Sequence, residues 1–385
     1  MRGHVRKRGK RWCVVVDIGR DPQTGKRRQR WHSGFQTRRE AERALGEITH
    51  RLGQGEYVEP TRTTLAVFLE DWLASVHSRL RPSTWDSYKR NIDAHITPAL
   101  GATPLQALTP TALNRLYADL LSGGRRDGRG GLSPRTVRYC HTILRCALKD
   151  AVRWNLAARN VADSADPPRG AATRAKTMKT WSAAELHNFL RHVEDERLYA
   201  ALLLAATTGM RRGEILGLRW RDIDLSAARI AVRITLITIH NRLEWSTPKT
   251  ERGRRSVALD PGTVDALRAH RARQAEERLA WGAAYHDHGL VFAKEDGTPI
   301  HPDYLTKLFD RKSRALGLPR IRLHDLRHTH ATLALQAGIH PKIISERLGH
   351  SDITLTLNTY SHAIPALEER AATTIADLIR TASPT

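Results

Sequence analysis

Residues Arg322–His362 read RLHDLRHTHATLALQAGIHPKIISERLGHSDITLTLNTYSH, and this stretch decides how the rest of the 385-residue chain is read. Leu323, Leu326, Leu333, Ala334 and Ala337 recur at helical spacing, which predicts an amphipathic helix that Gly338 is suited to end. His324 and Arg327 then fall on neighbouring positions beside the apolar stripe. Pro341 fits the first turn of a second helix, which Gly349 closes, and His350 follows directly. Ser351 is placed to cap a third helix that carries Ile353, Leu357 and Ile364 in phase, with Tyr360 on it. An arginine presents a planar fork of donors that suits a phosphate, a histidine donates or shuttles a proton, and a phenol can attack phosphorus. His324 and His328 also have the separation of zinc-binding histidines on a helix. That pattern needs a glutamate where Asp325 stands, no third ligand is evident, and no metal site is expected.

A second element lies far upstream, Thr207–Leu218, TTGMRRGEILGL. With LHDLRHTHAT, LGH and NTYSH downstream, in this order and spacing, it resembles the motif set of the tyrosine recombinases of the phage integrase family. The resemblance is sharp over the C-terminal half and weaker over the rest. It implies an enzyme that cleaves and rejoins DNA through a 3′-phosphotyrosyl intermediate and a Holliday junction, integrating and excising a mobile element. It also implies roles. Tyr360 resembles the nucleophile, and Arg211, Arg327 and His350 the set that meets charge on the phosphate. His324 resembles the residue that takes the phenol proton or adds a donor. Glu214, one turn after Arg211, matches the family's acidic position and is given a supporting role. The segment Glu244–Leu259 reads as a hairpin with Lys249-Thr250-Glu251-Arg252-Gly253-Arg254-Arg255 at its turn, and resembles the family's mobile β-hairpin. Its catalytic lysine, the general acid, maps to Lys249, with Arg252, Arg254 and Arg255 as rival basic residues. The chemistry needs no cofactor, metal or ATP. The implied partners are double-stranded DNA at attachment sites and three further copies in a homotetramer on synapsed DNA, with room for a host bending protein and a directionality factor.

Composition agrees with a polyanionic partner. Lys and Arg number 63 against 40 Asp and Glu, a formal charge of +23. Cys13, Cys140 and Cys146 form no C-x-x-C pair, so neither a zinc ribbon nor a disulfide framework is indicated. The N-terminus MRGHVRKRGKRW is basic but lacks an apolar secretory core, and Leu202–Ala206 is too short to span a bilayer. A cytoplasmic, nucleoid-associated bacterial protein with no membrane partner is expected.

The chain reads as multidomain, mainly α with small β parts. Trp12, Val14, Val16 and Ile18 alternate, Asp21–Gly25 turns, and Lys26–Trp31 returns. Thr37-Arg38-Arg39-Glu40 has capping-box form and opens a helix to about Leu52. Residues 1–55 resemble the family's arm-type DNA-binding domain, a small sheet plus helix, with Arg6, Lys7, Arg8 and Lys10 as candidate DNA contacts. Residues 62–165 read as all-helical, with helix starts at Pro82, Thr109-Pro110 and Ser133-Pro134. They resemble the core-binding, SAM-like domain, with Lys89, Arg90, Arg135 and Arg138 as candidate phosphate contacts and Arg145 beside them. Residues 176–385 resemble the mixed α+β catalytic domain. It opens at Ser182 as a cap, carries a buried helix Tyr199–Ala206, a strand Ile230–Ile239, and a terminal helix over Ala366–Thr381.

Three other readings compete. A type IB-like topoisomerase uses the same chemistry without partner exchange, and the arm-like unit argues against it. A catalytically silent DNA-binding regulator has no use for the full set of six residues. A metal-dependent nuclease requires a carboxylate cluster that the sequence lacks.

Overall fold

The structure is a computed structural model. It describes residues 3–20, 24–53, 57–170, 179–240, 242–247, 253–349, 376–377 and 379–380. The chain divides into two compact units, Met1–Arg174 and Ala175–Thr385.

The first unit begins with three antiparallel strands in sequence order, β1 (Gly3–Arg8), β2 (Arg11–Arg20) and β3 (Arg27–Phe35), followed by α1 (Arg38–Gly53). The capping box at its start is formed: Glu40 N–H donates to Thr37 Oγ1 at 3.2 Å and Thr37 N–H to Glu40 Oε2 at 3.4 Å. Val14 and Val16 pack under α1 with Ala41. The alternate residues Cys13 and Val15 are buried too; their cross-strand neighbours include Arg6 on β1 and Trp31 on β3, and Arg6 lies over the Trp31 ring. A helical bundle follows: α2 (Leu65–Val76), α3 (Pro82–Asn91), a π-turn Ile92–Ile96, α4 (Thr97–Leu100), α5 (Pro110–Gly123) and α6 (Pro134–Arg153). Thr109 and Ser133 cap α5 and α6 through their side chains, as the Thr-Pro and Ser-Pro pairs predict. The core of the bundle is lined by Phe68, Trp72, Tyr117, Ile143 and Leu144.

In the second unit, α7 (Ala183–His192) starts at a capping box between Ser182 and Glu185. It is followed by α8 (Tyr199–Thr208) and α9 (Arg212–Leu216). Strands β4 (Ile223–Asp224), β5 (Arg229–Val232), β6 (Thr235–Ile239), β7 (Arg242–Ser246) and β8 (Arg255–Ala258) come next, then α10 (Pro261–Trp281), α11 (Pro302–Ala315), α12 (Asp325–Gln336) and α13 (Pro341–Leu348). Trp181, Phe189 and Phe309 centre its core.

The strand arrangement corrects the sequence reading. Ile230–Ile239 is not one strand, and Glu244–Leu259 is not one hairpin. β5 pairs with β8 beside β4, whereas β6 pairs with β7 in a separate ladder. The chain leaves the first sheet after Val232 so that Leu236 can lie against α9. A Cβ on Gly213 would sit 2.6 Å from the Leu236 carbonyl oxygen, and one on Gly217 2.9 Å from its nitrogen. Two glycines one helical turn apart thus let α9 approach a strand backbone that alanine would hold away. The expected third helix from Ser351 lies outside the described residues. Of Ala366–Thr381, residues 376–377 and 379–380 are described and are helical.

Candidate active site

The centre of the second unit is α8, which is apolar on every side: residues 200–206 are all buried. It ends at Gly209, whose φ of 64° is left-handed. A Cβ there would stand 2.5 Å from Leu348 Cδ2, so the glycine also makes room for the leucine of the LGH box. The reversal delivers Arg211 to the N-terminus of α9. Glu214 accepts from the Arg211 backbone N–H at Oε2 (2.9 Å) and from Arg211 Nη1 at Oε1 (2.8 Å). The carboxylate therefore caps the short helix and holds the arginine that precedes it.

Glu214 has a second partner. Arg255, on β8, donates from Nη2 to Oε2 at 2.9 Å and from Nη1 to Oε1 at 3.3 Å. The Glu214 and Arg255 side chains are 3% and 6% exposed, whereas Arg211 keeps 42% of its side chain in solvent. Burial alone would raise the Glu214 carboxyl, but the hydrogen bond and charge of Arg255, with the charge of Arg211, hold it below its ordinary value. The result is a buried anion flanked by two guanidinium groups, one enclosed and one facing outward.

The sequence places Arg327 beside the apolar stripe of its helix; the structure puts it inside. α12 packs against α8 and α13, so its polar positions Asp325, Arg327, Thr329 and Thr332 are buried along with its apolar ones. Arg327 is 3% exposed. Its Nη1 donates to the Gly209 carbonyl at 2.7 Å and its Nη2 to the Leu348 carbonyl at 2.6 Å. One guanidinium thus ties the end of α8 to the end of α13. Arg347 makes a parallel tie, from Nη2 to the Thr207 carbonyl at 3.0 Å and from Nη1 to the Ala258 carbonyl at 2.9 Å. Arg255 adds a third bond at the same helix end, from Nε to the Arg347 carbonyl at 2.6 Å. α13 starts at Pro341 and ends at Gly349 with φ of 67°, as the sequence predicts.

His324 sits at the N-terminus of α12, its ring edge-on to that of His328 at 5.3 Å. The residue as a whole is exposed, while desolvation of its ring, then the charges of His328 and Arg327, lower the imidazole to about 4. His330 is lowered to about 4 as well, by burial first and Arg347 second. Its Nδ1 meets the Ala206 carbonyl at 3.1 Å, and its Nε2 has no hydrogen-bond partner among the described residues. Among the described residues no group of three or more His, Cys, Asp or Glu is placed to hold a metal, and no helix is long and apolar enough to cross a membrane.

The structure therefore gathers Arg211, Glu214 and Arg327, with His324 on the same helix as Arg327. Lys249, His350 and Tyr360 lie outside the described residues. Sequence reasoning offered Arg255 only as a rival to Lys249 and missed both its contact with Glu214 and Arg347 as a part of this site. One signal for Arg255 exists in the sequence: it alternates with the buried Val257 and Leu259, so it is a charge in phase with core positions.

The expected DNA contacts of the first unit are exposed but often paired. Arg6 lies over Trp31 at 6.0 Å and Lys7 over Trp12 at 6.0 Å, while Arg8 and Lys10 are exposed at the tip between β1 and β2. Lys89 pairs with Asp93 at 3.0 Å and Arg90 with Asp86 at 3.0 Å. Arg138 donates to the Pro168 carbonyl at 3.1 Å, Arg145 pairs with Asp163 at 2.6 Å, and Arg135 is exposed on the first turn of α6.

Comparison with known proteins agrees with this layout. The phage integrase family model matches residues 178–366, an arm DNA-binding domain model residues 4–52, and a phage integrase N-terminal SAM-like domain model residues 64–121. A protein of Caldanaerobacter subterraneus subsp. tengcongensis named "Tyrosine recombinase XerC-like" is 30% identical over 97% of both chains. Among solved structures, the Tn1549 transposon integrase in complex with a circular intermediate DNA matches 79% of this chain and 99% of its own, with TM-score 0.61 at 20% identity. A lambda integrase tetramer bound to a Holliday junction matches 93% of this chain and 94% of its own, with TM-score 0.56 at 18% identity.

Proposed function

The chain belongs to the phage integrase family of tyrosine recombinases, an enzyme of DNA strand exchange, and on that premise we propose which of its residues perform the cleavage. Tyr360 is the nucleophile. Its phenol oxygen attacks the scissile phosphorus, the bond from phosphorus to the 5′ oxygen breaks, and a 3′-phosphotyrosyl link forms. Lys249 gives a proton to the departing 5′ oxygen. Arg211, Arg327 and His350 meet the charge on the non-bridging oxygens. One ester replaces another, so a 5′-hydroxyl from a partner strand can reverse the step without ATP.

The observation that carries this reading is the position of Arg327. Its two bonds to the Gly209 and Leu348 carbonyls tie the segment bearing Arg211 to the segment bearing His350. The bonds fix the chain ends from which Arg211 follows by two residues and His350 by two residues, which supports assigning all three to one phosphate.

His324 accepts the proton of Tyr360 or adds a donor to the phosphate. A free phenol has a pKa of about 10 and needs such an acceptor at neutral pH, and a phosphate anion docked beside the imidazole favours its protonated form.

Residues 1–55 bind arm-type sites and residues 62–165 grip the core site, while residues 176–385 carry the chemistry. The protein works as a tetramer on two synapsed duplexes in the cytoplasm, a reading supported by the lambda integrase tetramer on a Holliday junction. Host bending and directionality factors are further partners.

The test is covalent trapping. Wild type and Tyr360→Phe are incubated with a nicked duplex carrying the crossover site, with EDTA present. A denaturant-resistant protein–DNA band with wild type alone is expected. A band with the phenylalanine variant removes Tyr360 from the role, and loss of the wild-type band in EDTA removes the metal-independent mechanism.

A further inference from the structure

We propose that Arg255 is a positioning residue for strand cleavage, acting through Glu214 on Arg211 and through the Arg347 carbonyl on the turn that leads to His350. The inference rests on the assignment of Arg211 to the phosphate.

Arg255 is engaged within the protein through all three of its guanidinium nitrogens. Its side chain is 6% exposed and its donors point inward: Nη1 and Nη2 to Glu214, Nε to the Arg347 carbonyl at 2.6 Å, and Nη1 also to the Gly253 carbonyl at 3.2 Å. Arg211 is the reverse case. It is partly in solvent, and among the described residues its guanidinium is held by Glu214. Left to itself, a half-exposed arginine samples many rotamers, and fixing one costs side-chain entropy. A carboxylate can remove that freedom only if its own position is set. Glu214 is set by Arg255: the pair forms two near-parallel bonds between planar groups, a geometry that resists rotation. The same guanidinium holds the last turn of α13 through Nε, so a single side chain binds both the carboxylate that holds Arg211 and the C-terminal end of α13. Lysine has three donors on a single nitrogen but lacks the planar fork that spans both carboxylate oxygens of Glu214 while a third nitrogen reaches the Arg347 carbonyl.

The arginine lies six residues after Lys249, on the far side of the segment that joins β7 to β8.

The experiment uses the full chain and two nicked substrates. One has an ordinary phosphate at the scissile position. The other has a methylphosphonate there, which lacks the negative charge. Single-turnover formation of the covalent complex is measured for wild type, Arg211→Ala, Arg255→Gln, Arg255→Lys and the double variant Arg211→Ala with Arg255→Gln. An arginine that acts on charge is needed less on the neutral substrate. Arg255→Gln should slow cleavage of the phosphate on the order of 100-fold, the scale of a small misplacement in an active site. The loss should shrink to a few-fold on the methylphosphonate, with DNA affinity unchanged. Arg255→Lys keeps the charge beside Glu214 and should recover part of the rate. The double variant should be slower than Arg211→Ala by much less than the factor that Arg255→Gln costs in the wild-type background, because the route through Glu214 is already lost and only the one through the Arg347 carbonyl remains. Equal slowing on both substrates, or losses that multiply in the double variant, would overturn the proposal. If Arg255→Gln fails to fold, Arg255→Lys carries the same comparison. Failure of the underlying assignment looks different: Arg211→Ala would then show no preference for the neutral substrate, whatever Arg255 does.

Discussion

Replacing Glu214 by glutamine tests whether the buried anion is as central to the catalytic unit as its contacts imply. The carboxylate receives four donors, the backbone N–H and Nη1 of Arg211 and both η nitrogens of Arg255. Glutamine keeps one oxygen and turns the other toward two of those donors as an NH2. It also leaves the Arg255 guanidinium, at 6% exposure, without its counter-charge. Removing one partner of a buried ion pair costs about 3–5 kcal/mol, or roughly 6–20 °C of unfolding midpoint for a unit of this size. The direction with pH is set by the lowered carboxyl. Glu214 is held below its ordinary value, so its contribution is complete above the unfolded value of 4.5 and is lost as pH falls through the folded one. The difference between wild type and Glu214→Gln should thus be largest near neutrality and shrink in acid. Calorimetric unfolding of the full chain at about pH 7 and about pH 3.5 reads both quantities. An unchanged midpoint at neutral pH would refute the idea that the pair is structural, and a gap that grows in acid would refute the assigned charge state.

Two other expectations use different parts of the chain. Gly213→Ala would place a Cβ 2.6 Å from both the Leu236 carbonyl oxygen and Thr235 Oγ1. It should cost about 1–3 kcal/mol and slow covalent-complex formation by moving α9, whereas Gly46→Ala, which meets nothing within 4 Å on α1, should be neutral or slightly stabilising; equal effects of the two substitutions on unfolding would remove the close-packing argument. Deleting residues 1–55 should spare cleavage of a core site while lowering integration of a full attachment site. It should also make DNA binding less sensitive to salt, because fewer phosphates are neutralised by the shortened chain. Undiminished integration would count against an arm-binding role.

Much of the fold is legible in the sequence because its signals are local. Thr37 with Glu40, Thr109 with Pro110, Ser133 with Pro134 and Ser182 with Glu185 mark helix starts that the structure reproduces, and Gly209, Gly338 and Gly349 mark ends with left-handed φ. A cap satisfies a donor two or three residues away, so its chemistry is complete within one turn and needs no tertiary partner. The order and spacing of four boxes between Thr207 and His362 carry the family in the same way, as a property of the chain alone.

What the sequence could not decide were the partners of residues far apart in the chain. Ile230–Ile239 is rich in β-branched residues throughout, yet the chain splits it between two ladders, because β5 finds β8 and β6 must lie over α9. Arg327 has the spacing of a surface residue on an amphipathic helix and is buried, since α8 and α13 cover both sides of α12. Arg252, Arg254 and Arg255 are equivalent as letters, and only the fold singles out Arg255, 41 residues from Glu214 and 92 from the Arg347 carbonyl it binds. Local propensity and spacing act over a few residues and determined the elements and the box pattern. Which arginine is enclosed, and which faces outward, depends on the packing of α8, α9, α12, α13 and β8, and so was decided by the tertiary structure.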